Sequence, residues 1–155
     1  MGAGKTRVGK RLAKALGVRF IDTDAVIQSE HGVIQRIFDE HGEAHFRGLE
    51  RDAVADALAQ PAIVSLGGGA VLDERTQQDL TEARVVLLTV TAEAVLARAN
   101  LDKRPLLKDD PGAWTRIAEA RRPIYERLAT VTFDTSHRPI QGIVDELVVW
   151  AKEQE

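Results

Sequence analysis

The sequence predicts an α/β domain in which a parallel sheet is sandwiched between two layers of helices. Three observations predict it. Short β-prone runs alternate with runs of helical period along the whole chain. Two of the strands, in AIVSLGGG and RVVLLTV, are apolar almost throughout, as strands covered on both faces must be. Polar and glycine-rich segments follow directly on strand ends, at Asp22, Asp24 and Gly67–Gly69, which is where open α/β sheets bind ligands.

The elements follow in order. Thr6 to Leu16 is a helix, because Val8, Leu12, Ala15 and Leu16 recur at helical spacing and Gly17 is a natural stop. VRFID (Val18–Asp22) is a short strand that ends in a carboxylate. Residues from about 25 to 59 are helical in pieces, broken at Gly32 and Gly42. AIVSL (Ala62–Leu66) is a buried strand running into a triple glycine. ERTQQDLTEA is helical, RVVLLTV (Arg84–Val90) is a strand, and AEAVLARANL is another helix. DKRPLLKDDPG carries two prolines and many charges and reads as a loop. Residues 113–129 form a helix with Pro123 as a kink. Thr130–Asp134 is the fourth strand, and IVDELVVWAKEQE closes the chain as a helix with Ile143, Leu147, Trp150 and Ala151 on one face.

The 155 residues suit one domain, 1–155, with a real core. The composition, 44% hydrophobic and 29% charged, is that of a globular protein. A net charge of -3 argues against a duplex nucleic acid or an anionic membrane as the main partner. The chain has no cysteine, which excludes a disulfide framework and a thiolate zinc site and fits a reducing compartment. No apolar run approaches the ~20 residues that span a bilayer, and no signal segment precedes the first motif, so a cytoplasmic protein is expected.

Several segments carry chemistry. Gly4, Lys5 and Thr6 match the last three positions of G-x-x-x-x-G-K-[ST], a loop whose backbone N–H groups and following helix dipole favour phosphate. The same residues could also be a glycine cap with an ordinary exposed lysine. FIDTD sets Asp22 and Asp24 on one side of an extended backbone, where one can help hold a metal through water and the other accept a proton. Alternatively, Asp24 caps the next helix. Arg47 and Glu50 stand i,i+3 on a helix, either as a carboxylate-binding guanidinium with its orienting partner or as a solvated surface pair. His41 and His45 are spaced i,i+4, but Glu43 is not at the H-E-x-x-H position and no third ligand is evident; His31 and His137 read as loop residues. Three glycines after a strand suggest close approach of a ligand to the main chain. Arg104, in the proline-bearing loop before the helix of Arg121, could close a cation over a transferring group, or the loop could be simple surface.

Taken together, GAGKT, DTD, Gly42-Glu43-Ala44-His45-Phe46-Arg47, SLGGGA, RPLL, Arg121-Arg122-Pro123-Ile124-Tyr125 and the late DTS with Arg138 resemble the shikimate kinase family, in the family's order over nearly the whole chain. The resemblance implies a P-loop α/β/α sandwich with a five-stranded parallel sheet, of which four strands are visible here. It implies ATP- and Mg2+-dependent phosphorylation of the 3-hydroxyl of shikimate, by a monomer without nucleic-acid or membrane partners. By position, Lys5 would contact the transferring phosphate, Thr6 the magnesium, and Asp22 would support the metal through water. Asp24 would bind shikimate hydroxyls and assist deprotonation, Arg47 and Arg121 would hold its carboxylate, Gly67, Gly68 and Gly69 would line it, and Glu50 would orient Arg47. Gly2, Ala3, Gly4, Lys5, Thr6 and Arg7 would cradle ATP, with Arg104 on its phosphates and Arg98 and Arg138 flanking the adenine. Residues 25–60 would form the substrate-binding segment and 101–112 the lid. The family's first strand, central in the sheet, would precede Met1. Losing ~4 buried aliphatic residues there would forfeit roughly 6–12 kcal/mol. A longer natural chain, a fold with a gap, or a sheet closed up without that strand are the three expectations. Other readings are a non-catalytic or truncated nucleotide-binding module and a small-molecule kinase of gluconate-kinase type.

Overall fold

The structure, a computed structural model, describes residues 3–98 and 111–155. Helix α1 (Lys5–Leu16) begins after Gly4, whose φ of 87° and ψ of 27° lie in the left-handed region that only glycine enters cheaply. Strand β1 (Arg19–Asp22) follows, then three helices broken at the two expected glycines: α2 (Thr23–His31), α3 (Ile34–His41) and α4 (Glu43–Leu58). These three close on a small core of Ile27, Ile37 and Phe46. Strand β2 (Ala62–Ser65) leads through the glycine loop into a 3-10 turn (Ala70–Leu72) and α5 (Glu74–Thr81). Strand β3 (Val86–Thr89), α6 (Ala92–Arg98), α7 (Pro111–Leu128), β4 (Val131–Asp134) and α8 (Ile140–Glu153) complete the described order.

Two local expectations are corrected. His31 is not in a loop but closes α2. Pro111, placed in the loop by the sequence, opens α7, because proline at a first helical position gives up an N–H that would be unpaired anyway.

The four strands form two parallel pairs. β1 lies beside β2 with Arg19 opposite Ala62 and Asp22 opposite Ser65. β3 lies beside β4 with Val86 opposite Val131 and Thr89 opposite Asp134. The pairs do not hydrogen-bond to each other. Instead, a cavity of about 520 Å³ separates them, lined by Ile63 and Val64 of β2, Leu87 and Leu88 of β3, Val8 and Leu12 of α1, and Leu147 and Trp150 of α8. The sheet has therefore not closed up. This also corrects the expectation that the AIVSL strand is buried: Ala62–Val64 and all of β3 are only half-buried, since each faces the cavity.

Side chains hold the halves together. Val8 and Leu12 of α1 pack on Ile143, Val144 and Leu147 of α8, with Ile63 from one pair and Val86, Leu88 and Phe133 from the other against the same cluster. Each of the three α8 residues is at most 1% exposed, and burial of such side chains contributes about 1.5–3 kcal/mol apiece. Among the described residues no helix is long and apolar enough to cross a membrane.

Candidate functional site

The polar groups collect where β1 and β2 end. At that end Thr23, fully buried, donates its hydroxyl to the Ser65 carbonyl at 3.3 Å and ties the two strand ends together. The chain then enters Leu66–Gly69, and side chains from several elements converge on this loop. Lys5 of α1 donates from Nζ to the Leu66 carbonyl at 2.6 Å. Asp24 of α2 and Glu50 of α4 crowd Gly67: a Cβ there would lie 2.8 Å from Asp24 Oδ1 and 3.0 Å from Glu50 Oε2. A Cβ on Gly69 would fall on the Arg47 guanidinium. Tyr125 of α7 donates from its hydroxyl to the Gly68 carbonyl at 2.5 Å. Close approach thus accounts for Gly67 and Gly69, but what approaches is the protein's own side chains, where the triple-glycine pattern suggests a ligand.

Arg47 and Glu50 form the i,i+3 pair, Nη1 to Oε1 at 2.8 Å. They are not a solvated surface pair, because Glu50 is 3% exposed. The Arg47 head also lies 3.4 Å from Glu43 and rests 5.4 Å from the Phe46 ring centroid. The arginine is therefore held on three sides, a stiff mount for a fork that binds carboxylates.

The carboxylate pair differs from expectation. The backbone is extended only as far as Asp22, and α2 starts at Thr23. Asp22, not Asp24, is the cap: its Oδ1 accepts from the Asp24 N–H at 2.9 Å and the Ala25 N–H at 3.2 Å. Capping leaves Asp24 in the first helical turn, turned toward Gly67. Thr6 and Asp22 line a separate hollow of about 380 Å³ beside β1, with Lys10 and Arg19.

Crowding perturbs the ionisable groups. Burial raises the Asp24 pKa above 3.8, reinforced by Asp22 and opposed by Lys5 and Arg47. Burial likewise raises Glu50 above 4.5, opposed mainly by its hydrogen bond from Arg47. Lys5 is lowered from 10.5 by burial, against the carboxylates of Asp24, Asp22 and Glu50, with Arg121 pushing the same way as burial. Arg121 thus lies close enough to Lys5 and Glu50 to act on both.

A pH dependence follows. Carboxyls with raised pKa bind protons more tightly in the folded chain than in the unfolded one, so stability falls as pH rises from about 4 through their folded values. Asp73, held low chiefly by its hydrogen bond from Arg75, acts in a different window: its contribution is lost as pH falls below 3.8. The ligand-free chain is expected to lose melting temperature as pH rises from about 4 to about 7, with a shallower slope in Glu50→Gln. An equal slope in the variant would show that Glu50 does not carry the effect.

Other residues named from sequence stand apart. Gly2 and Arg104 lie outside the described residues, as does the lid segment apart from Pro111 and Gly112, and nothing is described of the Arg98 side chain at the end of α6. Ala3 is buried, whereas Arg7 is exposed. Arg138 follows β4 and pairs with Glu146 at 2.9 Å. His41 and His45 stack with ring centroids 4.8 Å apart, and among the described residues no three ligands gather for a metal. Sequence reasoning missed the Leu66 carbonyl, which has no residue-type signature, and the hydroxyl of Tyr125, the chain's sole tyrosine.

Comparison with known proteins gives consistent results. The family model described as shikimate kinase matches residues 1–152. A shikimate kinase from Thermobifida fusca is 50% identical over 143 residues, covering 89% of this chain and 83% of that protein. One from Salinispora tropica is 46% identical over 150 residues, covering 94% and 90%. Among solved structures, a shikimate kinase from Acinetobacter baumannii in complex with shikimate superposes with a TM-score of 0.89 at 31% identity, covering all of this chain and 90% of that one. One from Bacteroides thetaiotaomicron gives 0.87 at 30% identity, covering 98% and 94%.

Proposed function

The chain belongs to the shikimate kinase family, and from that premise we propose that the rim around Leu66–Gly69 is where ATP and shikimate meet. The chain is a kinase that transfers the γ-phosphoryl group of ATP to the 3-hydroxyl of shikimate, giving shikimate 3-phosphate and ADP. The gluconate-type and non-catalytic readings are not favoured, since the match to shikimate kinases runs the length of the chain.

On this reading each group has one task. The first N–H groups of α1 have no partner within the helix and face an anion with the favourable end of its dipole. They hold the ATP phosphates together with the Gly2–Gly4 backbone, and Arg7 stands at the rim. Lys5 leaves the Leu66 carbonyl for the transferring phosphoryl group, joined by Arg104 from the lid at 101–112. Arg98 and Arg138 flank the adenine. Arg47, oriented by Glu50, and Arg121 clamp the shikimate carboxylate. The segment 25–60 and Gly67–Gly69 line the ring, with the Gly68 backbone on a hydroxyl.

Asp24 sits beside the attacking hydroxyl. That oxygen bonds to the γ-phosphorus as the bond from phosphorus to the bridging oxygen breaks. ADP leaves with the electron pair, and the hydroxyl proton passes to Asp24, whose raised pKa makes it a better acceptor than an exposed aspartate. Thr6 and Asp22 offer a hydroxyl and a carboxylate in one hollow, a hard-oxygen donor set suited to magnesium that keeps several waters. Magnesium, when bound, supplies charge neutralisation across the phosphates. Monomeric state and cytoplasmic location belong to the same proposal; the first rests on the family alone, the second on the absence of cysteine.

The observation that carries this reading is the convergence of Lys5, Asp24, Glu50 and Arg47 on Leu66, Gly67 and Gly69 of one loop. A coupled ADP-release assay with shikimate tests it. Shikimate-dependent turnover is expected, and its absence would remove shikimate as the acceptor. Gly69→Ala gives a second check. The new methyl meets the Arg47 guanidinium, the far end of a long side chain, rather than backbone, so the fold should persist. Misplacing such a clamp by about 1 Å should raise the shikimate KM roughly ten- to hundredfold. Steady-state kinetics should find the ATP KM unmoved; an unmoved shikimate KM would count against the clamp.

A further inference from the structure

One polar group in the site has no task in the reading above. Tyr125 is half-buried on α7, one helical turn beyond Arg121, so the two side chains share a face. Its hydroxyl reaches across 57 residues of sequence to the Gly68 carbonyl at 2.5 Å. That carbonyl and the Gly69 N–H belong to one planar peptide unit. Pinning the oxygen therefore fixes the direction of the N–H on its far side.

The neighbourhood makes this tie consequential. The body of Tyr125 borders the cavity between β2 and β3, so packing constrains it weakly on that side. A second polar tie from α7, Arg127 to Gln77 at 2.6 Å, is exposed and lies further down the helix. Pro123, between Arg121 and Tyr125, removes one helical N–H bond from the stretch that must carry Arg121 accurately. The loop itself is held by Lys5 at Leu66 and by the 3.0 Å bond from the Ala70 N–H to the Gly67 carbonyl. The Gly68 carbonyl itself, at the middle of that turn, is bonded by Tyr125.

We propose that Tyr125 is a positioning residue for shikimate: its hydroxyl locks the Gly68–Gly69 peptide to α7 and so sets the spacing between the backbone that meets the ring hydroxyls and the Arg121 guanidinium that meets the carboxylate. Shikimate carries these two groups on one rigid ring, so an error in the spacing cannot be absorbed by the ligand. A phosphate donor bound at α1 does not span that distance and is indifferent to it. The inference rests on shikimate being the acceptor.

The test is Tyr125→Phe, which removes the hydroxyl and keeps the ring. Loss of one hydrogen bond should raise the shikimate KM about three- to tenfold, leave the ATP KM within about twofold, and speed amide exchange at Ala70 in the ligand-free chain. Placing 4-aminophenylalanine at 125 restores a donor and should return the shikimate KM toward the parent value. In an Arg121→Ala background the Tyr125→Phe effect should shrink, because the spacing then has only one end. A shikimate KM unchanged in Tyr125→Phe, an equal rise for both substrates, or no rescue by the amino analogue would each overturn the proposal while parent turnover with shikimate stays normal. A parent chain that does not turn over shikimate would instead overturn the functional reading beneath it.

Discussion

Asp24→Asn is expected to lower shikimate-dependent turnover by about 10²–10⁴-fold, the usual worth of a positioned proton acceptor, while ADP affinity stays within about twofold. The amide keeps the size of the side chain and its place beside Gly67, so packing is preserved. What disappears is the charge. Asp24 is the carboxylate that burial and Asp22 push toward holding a proton and that Lys5 and Arg47 pull back. Replacing it relieves the desolvation cost, so the variant should be at least as stable as the parent near neutral pH. A loss of activity with a gain or no change in melting temperature is hard to obtain from misfolding. Calorimetric ADP titration beside the coupled assay separates the cases. Turnover within about threefold of the parent would show that Asp24 does not take the proton, and a parallel loss of ADP binding would make its role structural.

Arg47→Ala should raise the shikimate KM by about 100-fold, since charge-assisted hydrogen bonds are worth about 1.5–3 kcal/mol, and should leave the ATP KM nearly unchanged. A stability cost comes with it. Glu50 is 3% exposed and would lose the guanidinium 2.8 Å away. Breaking a fully buried pair costs about 3–5 kcal/mol. Because a quarter of the Arg47 side chain is exposed, the cost here should sit at or below about 3 kcal/mol. The penalty should grow as pH rises above about 4.5, because the unfolded chain then gives up the Glu50 proton while the buried, unpaired carboxyl still holds it. Adding Glu50→Gln should recover stability without recovering the KM. If both recover together, Arg47 supports the fold and does not hold the substrate.

How much of this was legible in the sequence depends on the kind of signal. Helix breaks at Gly32 and Gly42 were legible because both glycines take φ values near 90°, which other residues avoid. The Arg47–Glu50 pair was legible because helical spacing alone brings the partners together. The triple glycine was legible as close approach, though not what approaches it. Asp22 and Asp24 were legible as a pair, but the cap that was the alternative for Asp24 falls on Asp22, since capping turns on which residue keeps extended backbone, a difference of one or two positions. The resting contact of Lys5 with a main-chain oxygen and the reach of Tyr125 across 57 residues left no pattern. Such contacts depend on how the strands and helices dock. The division of the sheet was hidden for the same reason: apolar strands look alike whether a neighbour pairs with them or not.

That division leaves the two strand pairs joined through their covering helices. Among the described residues no ladder of main-chain bonds crosses the seam between the two strand pairs, and they are coupled by packing on α1 and α8 and by side-chain ties such as Tyr125 to Gly68. Under the proposed roles, ATP bridges the seam, its phosphates at α1 and its base beside Arg138 beyond β4. Each bound nucleotide would then tie the two halves together from outside the core, and the stability of the folded chain would rise with nucleotide occupancy.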